Sequence, residues 1–379
     1  MIRIAVFVLI ICNFACSAPS TQKNYETKYT NQELGQLLVV GFRGAEINTE
    51  SAIVKDIKEY NLGGVILHDF DAETGEFGRN IVDANQLLKL SSALVAYSQN
   101  PPIIAIDQEG GMVSRLKQEY GFPPTKSAEY LGSVDKEDTT RHYARSIAQE
   151  FMVVGVNTNF APVVDVNKNA ESPEIGSKER SFSSKPDKVI EHVGYVLDEF
   201  DKEGILSVIK HFPGHGSSSN TMHNGFEDIT ETWSPEELEP FKKLTENRTI
   251  HAIMAAHLYN ANIDSVWPAT LSEQTIQGLL RDSLGFGGVV FANDMQDEAI
   301  IEQFGLDTAI EQALNAGVDI LVFRNNAEFD EDIAERAITI MQKGIAEGRI
   351  NETRVDSALA RVGRLKKNVI EDLCTCLTF

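Results

Sequence analysis

The 379-residue chain is 42% hydrophobic and carries a formal net charge of −22, which excludes a phosphate-backbone partner because nucleic acid would be repelled along its length. Four cysteines in such a length exclude a disulfide framework, and Cys374 and Cys376, one residue apart, have no metal-binding spacing. A chain of this composition can bury one large core.

The first eighteen residues read as an export signal. Arg3 gives a positive start, Ile4 to Ile11 an apolar core too short to span a membrane as a helix, and Ala15, Ser17 and Ala18 a small-residue exit. Cys16 after Ala15 also offers a lipid-attachment site, so membrane anchoring and free release beyond the cytoplasm stand as equal expectations. Residues 19–30 are polar and read as a tether, 31–370 as one folded unit, and 371–379 as a tail.

From Thr30 onward, short apolar runs alternate with amphipathic ones. Strands are expected at Leu37 to Phe42, Val65 to Leu67, Ile103 to Ile106 and Asn159 to Val164. Four more are expected at Ile205 to Ile209, Ala252 to Ala256, Gly288 to Phe291 and Asp319 to Phe323. Helical periodicity covers Ser51 to Tyr60, Asp83 to Tyr97, Thr139 to Val154, Pro186 to Glu203, Leu271 to Leu284, Thr308 to Ala316, Glu331 to Ala346 and Glu352 to Lys367. Eight strands alternating with helices predict a single-domain (β/α)8 barrel of TIM type. The rival is an open doubly wound sheet, whose glycine-rich phosphate turn Gly41-Phe42-Arg43-Gly44 supplies poorly.

In a barrel, residues just past the strands converge on one face. Here they are His68, Asp107, Asp165, Lys210, His211, His257, Asn293, Asp294 and Arg324. Lys210-His211-Phe212-Pro213-Gly214-His215-Gly216 follows the fifth strand, and Pro213-Gly214 must open a loop there. Asp107-Gln108-Glu109-Gly110-Gly111 puts a carboxylate at a strand end, able to accept two sugar hydroxyls or merely to cap a turn. Arg180, in Glu179-Arg180-Ser181-Phe182, can fork onto a hydroxyl pair or stand as a solvated charge. His211, His215, His223 and His257 invite a metal reading, but Pro213-Gly214 forbids the helix that would align the first two, and no metal is expected.

Taken together with Ala161-Pro162-Val163-Val164-Asp165, these motifs resemble glycoside hydrolase family 3, and in particular its single-domain bacterial β-N-acetylglucosaminidases. The similarity runs in order from Asn31 to Ala346. It implies a retaining hydrolase acting on terminal N-acetylglucosamine of cell-wall or chitin-type glycans, with no cofactor. It implies that Asp107, Arg115, Arg180, Lys210 and His211 hold the sugar, and all five are present. The catalytic positions depart from the family pattern. The nucleophilic Asp, commonly in Ser-Asp-Asp, aligns with Asn293 in Ala292-Asn293-Asp294; an amide is a poor nucleophile and carries no charge to steady an oxocarbenium ion. Asp294 should by strand alternation point elsewhere, and could substitute as nucleophile only if the loop is re-registered. The acid/base His matches His223, but the Asp that orients it in the family is Thr221 here. Two departures in two motifs set a second expectation beside the hydrolase: a pseudoenzyme that binds amino-sugar glycans without cutting them. Participation of the substrate's own acetamide, and a metal-dependent barrel hydrolase, are the remaining alternatives.

Overall fold

The computed structural model describes residues 25–219, 222, 223 and 225–370, with the side chain of His223 outside that set. The export signal with Cys16, Thr221, and the tail with Cys374 and Cys376 therefore lie outside the described residues.

Eight parallel strands close into a barrel: β1 Leu38–Gly41, β2 Gly64–Ile66, β3 Ile103–Ile106, β4 Thr158–Asn159, β5 Leu206–Phe212, β6 Ala252–Ala255, β7 Val289–Asp294 and β8 Ile320–Phe323. Each pairs with its neighbour in sequence, and β8 closes on β1 with Leu38 opposite Leu321. Each strand is followed by a helix: α1 Ala52–Tyr60, α2 Ala84–Tyr97, α3 Glu137–Val154, α4 Pro186–Lys202, α5 Glu239–Asn247, α6 Gln274–Ser283, α7 Glu298–Ala316 and α8 Ile333–Ala346. This is the (β/α)8 barrel, and the open-sheet rival is excluded by the β8–β1 ladder. Strand residues such as Ile104, Ile209, Ile253, Val290 and Leu321 are fully buried, as β-branched and apolar side chains enclosed on both sheet faces should be.

Where the structure differs from the sequence expectation, the reason is local. The fourth strand ends at Asn159 rather than running to Val164. Pro162 has no N–H to donate to a ladder, and beyond it Val163 makes only an isolated bridge to Lys210. The fifth strand runs three residues further than expected, to Phe212, and the seventh continues to Asp294. α5 was not expected; Pro240 at its start and only Phe241 and Leu244 as buried apolar residues hide its period. α7 begins ten residues before the expected Thr308, with non-helical backbone at Gly305 (φ 72°) breaking the pattern. The polar stretch expected as a tether is docked at its end: Tyr29 is buried, and its hydroxyl donates to the Glu352 carbonyl (2.9 Å) and Asp356 (2.8 Å) on the closing helix Glu352–Leu365.

The barrel floor is locked by one carboxylate. Asp319, just before β8, accepts from Arg281 (2.7 Å), Arg361 (2.8 Å) and the Val290 backbone N–H (2.9 Å). Burial raises its pKa, and Arg281 and Arg361 oppose that by favouring the charged form. Removing it strands the buried Arg281, so Asp319→Ala is expected to lower stability by about 3–5 kcal/mol in urea unfolding; a loss under about 1 kcal/mol contradicts this.

Candidate active site

At the C-terminal ends of the strands a cavity of about 680 Å³ opens, within the range of about 300–1,000 Å³ usual for ligand pockets. Its apolar lining includes Ile66, Phe160, Met254 and Val322, next to the barrel core through the edge-on packing of Phe160 on Phe291 (5.5 Å). Its walls carry the charges. Asp107, Arg115, Arg180, Lys210, His211, Asn293 and Asp294 all line it. Every described residue singled out as sugar-holding is therefore gathered at one mouth.

Lys210 joins the parts. Its ammonium donates to Asp107 Oδ1 at 2.7 Å and lies 2.7 Å from Glu109 Oε1. Arg324 Nη2 takes the other Asp107 oxygen at 2.7 Å. Arg180 forks onto Glu109 with two bonds of 2.8 Å and donates a third N–H to the Glu174 carbonyl at 2.7 Å. The fork fixes the guanidinium in plane at the cavity wall.

His211 is oriented from behind. Its Nδ1–H donates to Asp165 Oδ2 (2.7 Å), and Arg180 Nη2 donates to its Nε2 (3.0 Å). Nε2 must accept there, which assigns the neutral ring with the proton on Nδ1. Asp165 is fully buried, and its second oxygen takes the His215 backbone N–H at 2.8 Å, tying down the loop after β5. The turn after β3 needs its glycines: Gly110 (φ 98°) and Gly111 (φ 61°) both adopt left-handed backbone, and a side chain on Gly110 would meet the Lys126 carbonyl. That turn returns Arg115 to the mouth, where its Nε has no hydrogen-bond partner among the described residues and lies 3.8 Å from Asp69.

The titration behaviour follows from this packing. Burial alone would raise the Asp107 and Glu109 carboxyls. The facing cations win: Lys210 and Arg324 hold Asp107 well below the usual carboxylate range, and Arg180 and Lys210 hold Glu109 down at about 2. Burial pushes His211 down to about 4, with Arg180 adding to the effect and Asp165 opposing it.

The half expected to be catalytic is different. Asn293 and Asp294 are adjacent residues of β7, yet both line the cavity, against the expectation that Asp294 points away. The β7–β8 register shifts between Phe291 and Asp294, so simple alternation fails there. The Asn293 amide oxygen accepts the Asp294 backbone N–H (2.9 Å). Asp294 Oδ1 accepts the backbone N–H groups of Arg324 (3.0 Å) and Gln296 (3.2 Å), and burial raises its pKa against the pull of Arg324. His257 donates from Nε2 to the Asp294 carbonyl at 2.8 Å. Of the expected acid/base pair, His223 falls on a short strand, Met222–His223, beside the mouth, and Thr221 lies outside the described residues.

The sequence profile of the Glycosyl hydrolase family 3 N terminal domain matches residues 29–365. The chain belongs to glycosyl hydrolase family 3. It is 29% identical to a β-hexosaminidase A of Pseudoalteromonas piscicida over 377 residues, covering 89% of this chain and 61% of that protein. The chain thus spans under two thirds of that relative's length. It is 32% identical to a β-hexosaminidase of Tolumonas auensis, covering 76% of this chain and 83% of that one. Among solved structures it superposes on a family 3 β-N-acetylglucosaminidase from Paenibacillus sp. str. FPU-7 with a TM-score of 0.80 at 28% identity, over 93% of this chain and 68% of that one.

Four participants went unassigned at the sequence level. Glu109 stands two residues from Asp107 in the same motif, Asp165 follows the run expected as the fourth strand, Arg324 follows β8, and Glu227 follows no motif; all but Asp165 line the cavity. The shared motif was the available signal for Glu109, and position after an expected strand was the signal for Asp165 and Arg324; none existed for Glu227.

His211 gives a pH prediction. Its folded pKa, about 4, lies below the ordinary 6.5, so the unfolded chain binds the proton more readily between those values. The stability it contributes is complete above pH 6.5 and is lost as pH falls toward 4, about 3 kcal/mol in all. Urea midpoints from pH 7 to 4 should fall more steeply for the parent than for His211→Asn; parallel slopes contradict the assignment.

Proposed function

We propose that the barrel mouth binds the terminal N-acetylhexosamine of a β-linked glycan and that the protein is a β-N-acetylhexosaminidase whose hydrolytic step is weakened. The observation that carries this is the Asp107–Lys210–Glu109–Arg180 chain of charge-assisted bonds lining one cavity. Carboxylates and cations alternating along a wall offer both acceptors and donors to a ring of hydroxyls. The printed names of the relatives, β-hexosaminidase and β-N-acetylglucosaminidase, support the same substrate class.

The weakening is argued from Asn293. The family pattern puts a carboxylate there to attack the anomeric carbon, and the amide oxygen here is neutral and engaged by the Asp294 N–H. This favours the glycan-binding pseudoenzyme as the second reading. Export is part of the proposal, on the strength of Arg3, the apolar run Ile4 to Ile11 and the small residues after it, with Cys16 as the lipid-bearing residue of an anchored form. Mass spectrometry of the mature N-terminus separates a lipidated Cys16 from cleavage near Ala18.

Titration calorimetry with N-acetylglucosamine, paired with turnover of an aryl β-N-acetylglucosaminide, tests the main reading. Binding with slow turnover is expected; binding with none establishes the pseudoenzyme, and no binding removes both. Asn293→Asp restores the carboxylate and is expected to raise kcat at least about 100-fold with little change in sugar affinity. No rise in kcat would show that Asn293 is not what limits the chemistry.

A further inference from the structure

Six carboxylates line the mouth: Asp107, Glu109, Glu174, Glu227, Asp294 and Asp297. Asp107 and Glu109 are bound by cations on both oxygens. Glu174 presents both oxygens to Lys178 at 2.8 Å. Asp294 holds two backbone N–H groups on one oxygen, and Asp297 caps α7 through the Ala299 N–H (3.1 Å). Asp294 and Asp297, like Glu227, each show one oxygen without a hydrogen-bond partner among the described residues; Glu227 differs in that its bonded oxygen is held by an imidazole, His215 Nε2.

The position is built rather than incidental. Glu227 lies on the short strand Phe226–Asp228, which pairs with Met222–His223 on one side, Glu227 opposite Met222, and with Leu258–Tyr259 on the other. The strand is pinned by buried Phe226, which stacks on Phe304 with centroids 5.8 Å apart. His215 is held in turn by the Asp165 bond to its backbone N–H and by edge-on contact with His211, 5.4 Å between centroids. Its Nδ1 is buried without a hydrogen-bond partner among the described residues, so its available N–H is the one directed at Glu227. The Glu227 side chain remains 17% exposed, on the cavity side.

We propose that Glu227 is the proton-transferring carboxyl of this site, with His215 as its positioning residue, in the role that the Thr221–His223 pair has lost its charge to perform. This rests on the hydrolase reading above. In the first step the Glu227 carboxyl gives its proton to the glycosidic oxygen while the C1–O bond breaks and its electron pair leaves with that oxygen as an alcohol. In the second, water adds to C1 and returns a proton to Glu227, so one water is consumed and the carboxyl is regenerated. The charged partner that an imidazole acid requires is then unnecessary, because the carboxyl itself carries the proton.

Leaving-group dependence tests this with the full chain. Two substrates are compared: an aryl β-N-acetylglucosaminide with an acidic phenol, which departs without help, and N,N′-diacetylchitobiose, whose sugar alcohol needs protonation. Glu227→Gln is expected to lose about 100-fold or more in kcat/KM on diacetylchitobiose, and at least tenfold less than that on the aryl substrate. Its N-acetylglucosamine affinity and thermal midpoint should stay close to the parent's, which keeps a folding defect distinct from a chemical one. His215→Asn should move the alkaline limb of the pH–rate profile without abolishing turnover. Diacetylchitobiose turnover within threefold of the parent in Glu227→Gln, or equal losses on both substrates, overturns the assignment. So does a leaving-group-dependent loss in His223→Ala that Glu227→Gln lacks. A parent that binds N-acetylglucosamine but cleaves neither substrate overturns the hydrolase reading and this one with it, whereas an active parent indifferent to Glu227 overturns only this one.

Discussion

The ammonium of Lys210, lying 2.7 Å from both Asp107 and Glu109, is the interaction on which the mouth depends. Two carboxylates this close would raise one another's pKa and move apart. The shared cation lets both stay ionised in a nearly dry wall, and each then recruits a guanidinium, Arg324 on Asp107 and Arg180 on Glu109. Strands β3, β5 and β8 and the loop carrying Arg180 are thereby brought to one point. The arrangement is rigid because Arg180 also donates to His211, which Asp165 fixes from behind. Neutral His211, ionised Asp107 and ionised Glu109 follow from one geometry rather than from three separate causes.

The mouth has two unlike sides. The side built from β3, the Arg180 loop and the start of the β5 loop is saturated with charge-assisted bonds and keeps the donor–acceptor pattern suited to hydroxyls. The side built from β7 and the short strands above β5 and β6 has lost that regularity. Asn293 accepts the Asp294 N–H, Asp294 turns an oxygen to backbone N–H groups, and Glu227 enters beside Met222. On the proposed function, grip and chemistry occupy different elements of the barrel, so one can change while the other is held. That separation is a property of the fold, in which each strand end contributes its own loop.

The barrel was legible because its strands are continuous apolar runs and their spacing admits one helix between each pair. Two of the residues expected to hold sugar were legible for the same reason: Asp107 and Lys210 are the first polar residues after such runs. What sequence could not show is anything that depends on departure from the strand period. Asp294 faces the cavity because the β7 register slips between Phe291 and Asp294, and a period-two rule places it on the wrong side. The fourth strand stops early because Pro162 has no N–H. Glu227 was invisible because three strands of two or three residues, too short to leave a periodic signal, assemble to aim it. Tyr29 was read as tether because the polar residues around it conceal the one aromatic that docks.

The most direct measurement is a crystal structure with N-acetylglucosamine bound. If the shared ammonium organises the site, ring hydroxyls will lie within about 3.2 Å of Asp107, Lys210 and Arg180, with the Lys210–Glu109 contact intact. A sugar bound elsewhere on the molecule, or seated in the mouth without touching Asp107 or Lys210, would contradict it.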